Sequence, residues 1–523
     1  MAVQKPQRET WSSKIGIILA VAGSAVGLGN FLRFPAKAVA NGGGAFMIPY
    51  FVSLLLIGIP LMWIEWTLGR FGGGFGHGTA PGIFHSIARK NRFIKYFGVI
   101  GIFGPLVIFM YYLYIESWSL AYSFFAITGK LSQATDQIQM RGFLQGFQGL
   151  TSNQFFSSLA PAYTFFLITF VLNIFVIYHG IKGGIERLCK WAMPSLFLCG
   201  LVLMIRVMTL GAPDPSRPDW NVLNGFGFLW NPDLSALKSA QVWLEAAGQI
   251  LFTLSVGIGV ILTYASYLSK TDDIVLSGLT AASMNEIAEI IIGGSIVVPA
   301  AFVFFGPVDI RAVADSGVFN LSYVTMPLIL QHLPLADILS FLWFLLLFIA
   351  GITSSVSLAQ PVIAFMEDEF NLSRRKTVAI FAVATFILCQ PAVLFLGRGV
   401  VDELDFWGGT FFLVIFATIE AILFSWVLGM EAAWDEIHLG SEMAVPRVYK
   451  FIIKYVTPLF LLVILGTWFF QKWLPVILME DVAPENKIYI LATRVGLFLI
   501  FSMIALMVKV AWRRKRQTAG GAQ

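Results

Sequence analysis

The residues of this chain best placed to do chemistry are glycines. Gly23, Gly27 and Gly29 fall within seven residues, and Pro35 follows, all inside the apolar segment 15–40. That composition is a poor one for an unbroken helix. A break at membrane depth leaves backbone N–H and C=O groups without partners, so it must face protein, water or a ligand. Ser255-Val256-Gly257-Ile258-Gly259 repeats the pattern of Ala25-Val26-Gly27-Leu28-Gly29 in a second apolar segment, Gly257 lying 230 residues after Gly27. Two Gly-interrupted spans in corresponding places are the strongest sequence pointer to a transporter's binding site. The chemistry implied is the holding of a solute, not bond-making.

The elements that must position these groups are membrane helices. Of the 523 residues, 57% are hydrophobic and 12% charged, against about 25% charged in soluble domains. The mean hydropathy is +0.78. Twelve apolar segments are long enough to span: 15–40, 44–69, 93–127, 163–180, 190–210, 240–266, 274–305, 335–366, 377–396, 406–429, 447–474 and 487–511. Helix is the expected state, since barrel strands would be short and alternating. Arg70, Arg89, Lys90, Arg92, Lys95, Lys182, Arg187, Lys190, Arg374, Arg375, Lys376 and Arg513–Arg516 fall on one side with Lys5 and Arg8, so both termini are expected in the cytoplasm. On the other side lie two long loops, 128–162 and 211–239, the first expected to be irregular. The amphipathic stretch Val324–Leu333 is expected to cap the outside as a helix. The broken spans are the first and the sixth, and an odd number of spans per half gives two halves of opposite topology.

Other chemistries are excluded. Cys189, Cys199 and Cys389 lie in or beside apolar segments without metal-ligand spacing, and read as packing residues. Arg70-Phe71-Gly72-Gly73-Gly74-Phe75-Gly76 lacks the strand context of a phosphate loop. No Ser/His/Asp set or metal triad stands out, so the chain does not read as an enzyme. The modest net charge of +5 reflects loop placement and implies no nucleic-acid partner. Met1–Thr10 is polar, with no cleavage site after the first apolar run, and does not read as a signal peptide.

Longer motifs narrow the reading. They are Gly27-Leu28-Gly29-Asn30-Phe31-Leu32-Arg33-Phe34-Pro35, Asn41-Gly42-Gly43-Gly44-Ala45-Phe46, Tyr111-Tyr112-Leu113-Tyr114-Ile115-Glu116-Ser117-Trp118, Phe252-Thr253-Leu254-Ser255 and Gly351-Ile352-Thr353-Ser354-Ser355. With them the chain resembles the bacterial neurotransmitter:sodium symporters, and its leucine-transporting members in particular, from Trp11 to about Trp512. The resemblance implies an all-α fold of about twelve transmembrane helices in the bacterial inner membrane. Its parts would be a cytoplasmic N-terminus with an inner gate (1–14), a first five-helix repeat (15–210), an extracellular loop (211–239), an inverted second repeat (240–429), two further helices (430–512) and a cytoplasmic tail (513–523).

The resemblance also implies sites. A first sodium ion would be held by the Ala25 carbonyl, Asn30, Thr253 and Asn285, with the substrate carboxylate completing the set. A second would be held by the carbonyls of Gly23, Val26 and Ala350 and the hydroxyls of Thr353 and Ser354. The substrate carboxylate would meet the half-helix start at Leu28-Gly29 and the Tyr112 hydroxyl. Its amine would meet the carbonyls of Ala25, Phe252 and Thr253, with Ser255. Val107, Ile108, Tyr112, Phe252, Ile258, Ser354 and Leu358 would line the side-chain pocket. Amine transporters that resemble this family carry aspartate where Gly27 stands, so a substrate with its own carboxylate is implied. Ile108, Ile258, Leu358 and Ser24 depart from the valine, phenylalanine, isoleucine and asparagine of the leucine-transporting members, leaving leucine, methionine or larger aromatic substrates open.

Arg33 and Asp405 resemble an outer ion-pair gate above Tyr112 and Phe252. Arg8 and Asp368 resemble an inner pair, with Trp11, Ser266 and Tyr267 nearby. Glu289 lies one helical turn after Asn285 and would supply the negative charge that chloride supplies elsewhere in the family. The expected function is therefore chloride-independent, sodium-coupled uptake of a neutral, mainly hydrophobic amino acid, with proton antiport and a homodimer left open. Two rivals remain: a proton-coupled carrier on the same fold, and a non-transporting amino-acid sensor or channel.

Overall fold

In a bilayer every backbone polar group must find its partner within the protein, and this chain meets that demand with helices. The computed structural model describes residues 9–315 and 317–520. Among them, ten helices are long and apolar enough to cross a membrane, and an eleventh span is a bent pair. That pair is α1 (Lys14–Ala25) and α2 (Leu28–Ala40), joined at 47°. Then follow α3 (Gly44–Gly73), α4 (Ile94–Ile127), α5 (Ala160–Tyr178) and α6 (Ile181–Met208). The expected sixth span is divided into α7 (Ala240–Thr253) and α8 (Val260–Ala265), each too short to cross alone. The remainder are α9 (Ile274–Ala312), α10 (Ala336–Phe370), α11 (Arg374–Leu394), α12 (Val400–His438), α13 (Val448–Leu478) and α14 (Pro484–Lys515).

Burial separates the core from the rim. The apolar window of α4 is 100% buried, whereas those of α13 and α14 are 28% and 33% buried. Helix α4 runs along α10, and this pair backs the broken spans. Half-helix α1 packs on α6, α9 and α10, and α8 packs on α3.

Local chemistry explains the ends. Ser13 caps α1 by accepting from the Gly16 N–H at 3.1 Å. Asp273 caps α9 by accepting from the N–H groups of Val275 at 2.8 Å and Leu276 at 3.0 Å. Two expectations are corrected outside the spans. The loop 128–162 is not wholly irregular: Gln137–Phe147 is a helix, capped by Asp136 accepting from the Gln139 N–H at 2.8 Å. The outer capping helix begins earlier than its amphipathic stretch and runs Val318–Gln331. The fifth span also starts earlier than expected, at Ile181, through the wide turn Ile181–Ile185. Cys189, Cys199 and Cys389 are free and buried.

Candidate functional site

The two helix breaks meet at the centre of the fold. In the first, Val26 leaves helical geometry (φ −74°, ψ 86°) and Gly27 is extended. In the second, Ser255, Gly257 and Gly259 have φ of 54°, 75° and 92°. That left-handed backbone suits glycine and is strained for Ser255. Space enforces the choice as well, because a Cβ on Gly259 would approach Gly101 Cα at 2.9 Å. Each break is stapled. Asn30 Oδ1 accepts from the Gly27 N–H at 2.9 Å, and Glu65 Oε1 accepts from the Gly257 N–H at 2.5 Å. The Ser255 hydroxyl donates across the gap to the Ser24 carbonyl at 3.0 Å.

Oxygens converge beside the breaks. With its nitrogen turned inward, the Asn285 amide donates to the Ala25 and Thr253 carbonyls at 3.2 Å each. With its oxygen inward, the same position gathers three carbonyl-type oxygens, a set suited to a hard cation. Asn30 Nδ2 lies 3.1 Å from Thr253 Oγ1, so the four residues form one cluster. Glu289 closes it. One carboxylate oxygen accepts from Asn30 Nδ2 at 2.9 Å and from the Thr253 hydroxyl. The other accepts from Gln249 Nε2 and Tyr50 Oη, both at 3.0 Å. Tyr50 and Gln249 were not singled out from the sequence, where a lone Tyr or Gln in a helix carries no signal.

A second polar patch joins α1 to α10. The Ser354 hydroxyl donates to the carbonyls of Gly23 at 3.2 Å and Ser24 at 3.1 Å. The Thr353 hydroxyl donates to those of Ile349 at 3.0 Å and Ala350 at 3.2 Å. A Cβ on Gly23 would lie 3.2 Å from Thr353 Cβ, so the two helices approach almost backbone to backbone. Val26 is fully buried at the same break.

Between the clusters lies a cavity of ≈ 40 Å³ lined by Ser24, Ala25, Ile108, Ser255, Ile258, Leu358 and their neighbours. Above it opens a vestibule of ≈ 320 Å³, whose walls include Leu28, Gly29, Arg33 and Asp405. Tyr112 and Phe252 line both chambers and so form the partition between them. The Leu28 N–H, at the start of α2, donates to the Tyr112 hydroxyl at 3.1 Å. A Cβ on Gly27 would meet that hydroxyl and Ser354 Oγ at 2.9 Å each, so the glycine lets both side chains close on the break. Val107 differs from the expectation: it is fully buried and does not line the cavity.

The outer charges are near each other but unpaired. Asp405 accepts from the Tyr111 hydroxyl at 2.5 Å, and the Arg33 guanidinium sits 4.4 Å from the Phe252 ring centroid. The expected Arg33–Asp405 ion pair is therefore not formed, because each charge has a different partner and the vestibule stands between them. On the inner side, Trp11 Nε1 donates to the Tyr264 carbonyl at 3.0 Å, and Trp11 meets the Tyr264 ring edge-on at 5.2 Å. The Ser266 hydroxyl donates to the Thr263 carbonyl at 2.6 Å, and Tyr267 Oη accepts from Gln360 Nε2 at 3.0 Å. Arg8 lies outside the described residues, and with it the expected pair to Asp368.

Comparison with known proteins finds a family match over most of the chain. The model of the sodium:neurotransmitter symporter family matches residues 8–142 and 143–515. A sodium-dependent transporter of Methanocaldococcus jannaschii is 31% identical over 467 residues, covering 87% of this chain and 89% of the relative. The sodium-dependent dopamine transporter of Bos taurus is 27% identical, over 89% of this chain and 71% of its own length. Among solved structures, the crystal structure of MhsT in complex with L-phenylalanine superposes with a TM-score of 0.74 at 30% identity, covering 88% of this chain and 99% of that one.

Proposed function

Since the chain belongs to the sodium:neurotransmitter symporter family, we propose that it takes up a neutral, mainly hydrophobic amino acid by alternating access, without chloride. The observation that carries this reading is that two unlike groups line one cavity. Neutral oxygens from Ala25, Thr253 and Asn285 converge next to the Leu28 N–H and Tyr112 hydroxyl, which together suit a carboxylate. A substrate carboxylate placed there would reach the first sodium ion and neutralise it. Position 27 is glycine and supplies no carboxylate of its own, which favours amino acids over amines. The apolar lining of Ile108, Ile258 and Leu358 holds no ionisable group, which favours a neutral side chain. The complex of MhsT with L-phenylalanine supports the same substrate class.

In this reading the second sodium ion would bind at the carbonyls of Gly23, Val26 and Ala350 with the hydroxyls of Thr353 and Ser354. It would tie α1 to α10 and set the tilt of the inner half-helix. Outer closure would bring Arg33 to Asp405 over Tyr112 and Phe252. Inner opening would release Trp11 from α8, with Arg8 and Asp368 parting at the same time. Both termini would lie in the cytoplasm of a bacterial cell. The test is sodium-driven uptake in proteoliposomes, competed in turn with each standard amino acid. Uptake that follows a proton gradient without sodium, or tight binding without accumulation, would sink the proposal in favour of a proton-coupled carrier or a sensor.

A further inference from the structure

The wall of the cavity is backed by a glycine that does not itself line it. Directly after Asp405, helix α12 widens into a π-turn over Phe406–Phe411. The turn brings backbone against α4. A Cβ on Gly408 would stand 2.9 Å from Val107 Cγ1, 3.1 Å from Val107 Cβ and 3.2 Å from Ile108 Cγ1. The next residue, Gly409, lies under the gate, where a Cβ would come 2.7 Å from Asp405 Oδ1 and 3.2 Å from Tyr111 Oη.

We propose that Gly408 is a positioning residue that sets the size of side chain the pocket accepts, acting through Val107 and Ile108; this rests on the pocket being the substrate site. Val107 and Ile108 are buried, at 0% and 4% exposure, with Ile108 on the cavity and Val107 behind it. Both are β-branched and stiff at χ1, so neither can fold away from pressure behind it. With α12 backbone already at contact distance, the wall cannot retreat to admit a larger ligand. Any group added at position 408 has to push Val107 and Ile108 forward, into the cavity. The glycine thereby fixes the farthest position the wall can take, and substrate size follows from a residue the substrate never touches.

The test is Gly408→Ala, assayed by sodium-driven uptake in proteoliposomes with phenylalanine, leucine and alanine as competitors. Loss of one methylene's worth of room is worth roughly tenfold or more in discrimination. Phenylalanine should therefore weaken about tenfold relative to alanine, while the sodium concentration for half-maximal uptake stays unchanged. The double variant Gly408→Ala/Val107→Ala removes Val107 Cγ1, the atom nearest the new Cβ, and should move the ratio back toward that of wild type. If Gly408→Ala does not fold, Val107→Ala carries the test alone: it gives Ile108 room to draw back, so phenylalanine should strengthen relative to alanine, and an unchanged ratio would overturn the proposal. Equal loss for all three competitors, or a double variant that fails to move the ratio back, would overturn it. Wild-type protein that accumulates no amino acid overturns instead the substrate reading beneath, and the same assay reports that first.

Discussion

Glu289 Oε2 accepts a hydrogen bond from the Asn30 amide at 2.9 Å. A fully buried carboxylate thus touches the residue that staples the first helix break. Two sodium ions and a zwitterion would bring an excess of positive charge into this interior, and such an excess must be offset locally. Removing one partner from a buried charge pair costs about 3–5 kcal/mol. Glu289→Ser should therefore transport with chloride present and lose roughly a hundredfold or more of its rate in gluconate. Wild type should not distinguish the two anions. Sodium-coupled uptake of both forms, at constant sodium, decides the matter.

Thr353→Val keeps the side-chain shape and deletes the hydroxyl that lies at the contact of α1 and α10. Hydrogen bonds to charged groups contribute about 1.5–3 kcal/mol, so the sodium concentration for half-maximal uptake should rise roughly tenfold or more. An unchanged sodium curve from a folded variant would place the second ion elsewhere.

Ile258 lines the small cavity together with Ile108 and Leu358. Filling a packed site costs about 1–3 kcal/mol for the ligand displaced. Ile258→Phe should shift preference from tryptophan and phenylalanine toward small aliphatic substrates. Competition profiles that do not move would put Ile258 outside the pocket.

The Tyr111 hydroxyl donates to Asp405 Oδ1 at 2.5 Å, and Asp405 makes no ion pair with Arg33. In Tyr111→Phe, Asp405 is free to pair with Arg33 and the vestibule should narrow. A cysteine introduced at Val401, on the vestibule wall, should then react several-fold more slowly with a membrane-impermeant thiol reagent. The three native cysteines are buried and give little background. Equal labelling rates in both backgrounds would show that Tyr111 has no part in the gate.

The sequence by itself determined the solvent, the helical class and the location of both breaks. Lipid supplies no hydrogen-bond partners, so long apolar runs must be helices, and glycines within them must be exceptions. The asparagine, threonine and serine side chains beside those breaks were legible for the same reason. Tertiary structure alone decided what reaches those groups from a distance. Tyr50 and Gln249 meet Glu289 from separate helices. Tyr111 donates to Asp405 across 294 residues of chain, and the ion pair suggested by residue type is not formed. Val107 stands behind the cavity and Gly408 behind Val107, an order no periodicity records. Periodicity sorts one helix into faces, but which face meets which neighbour depends on packing between helices. In a bundle whose central helix is buried on every side, each face looks equally apolar until its partner is in place.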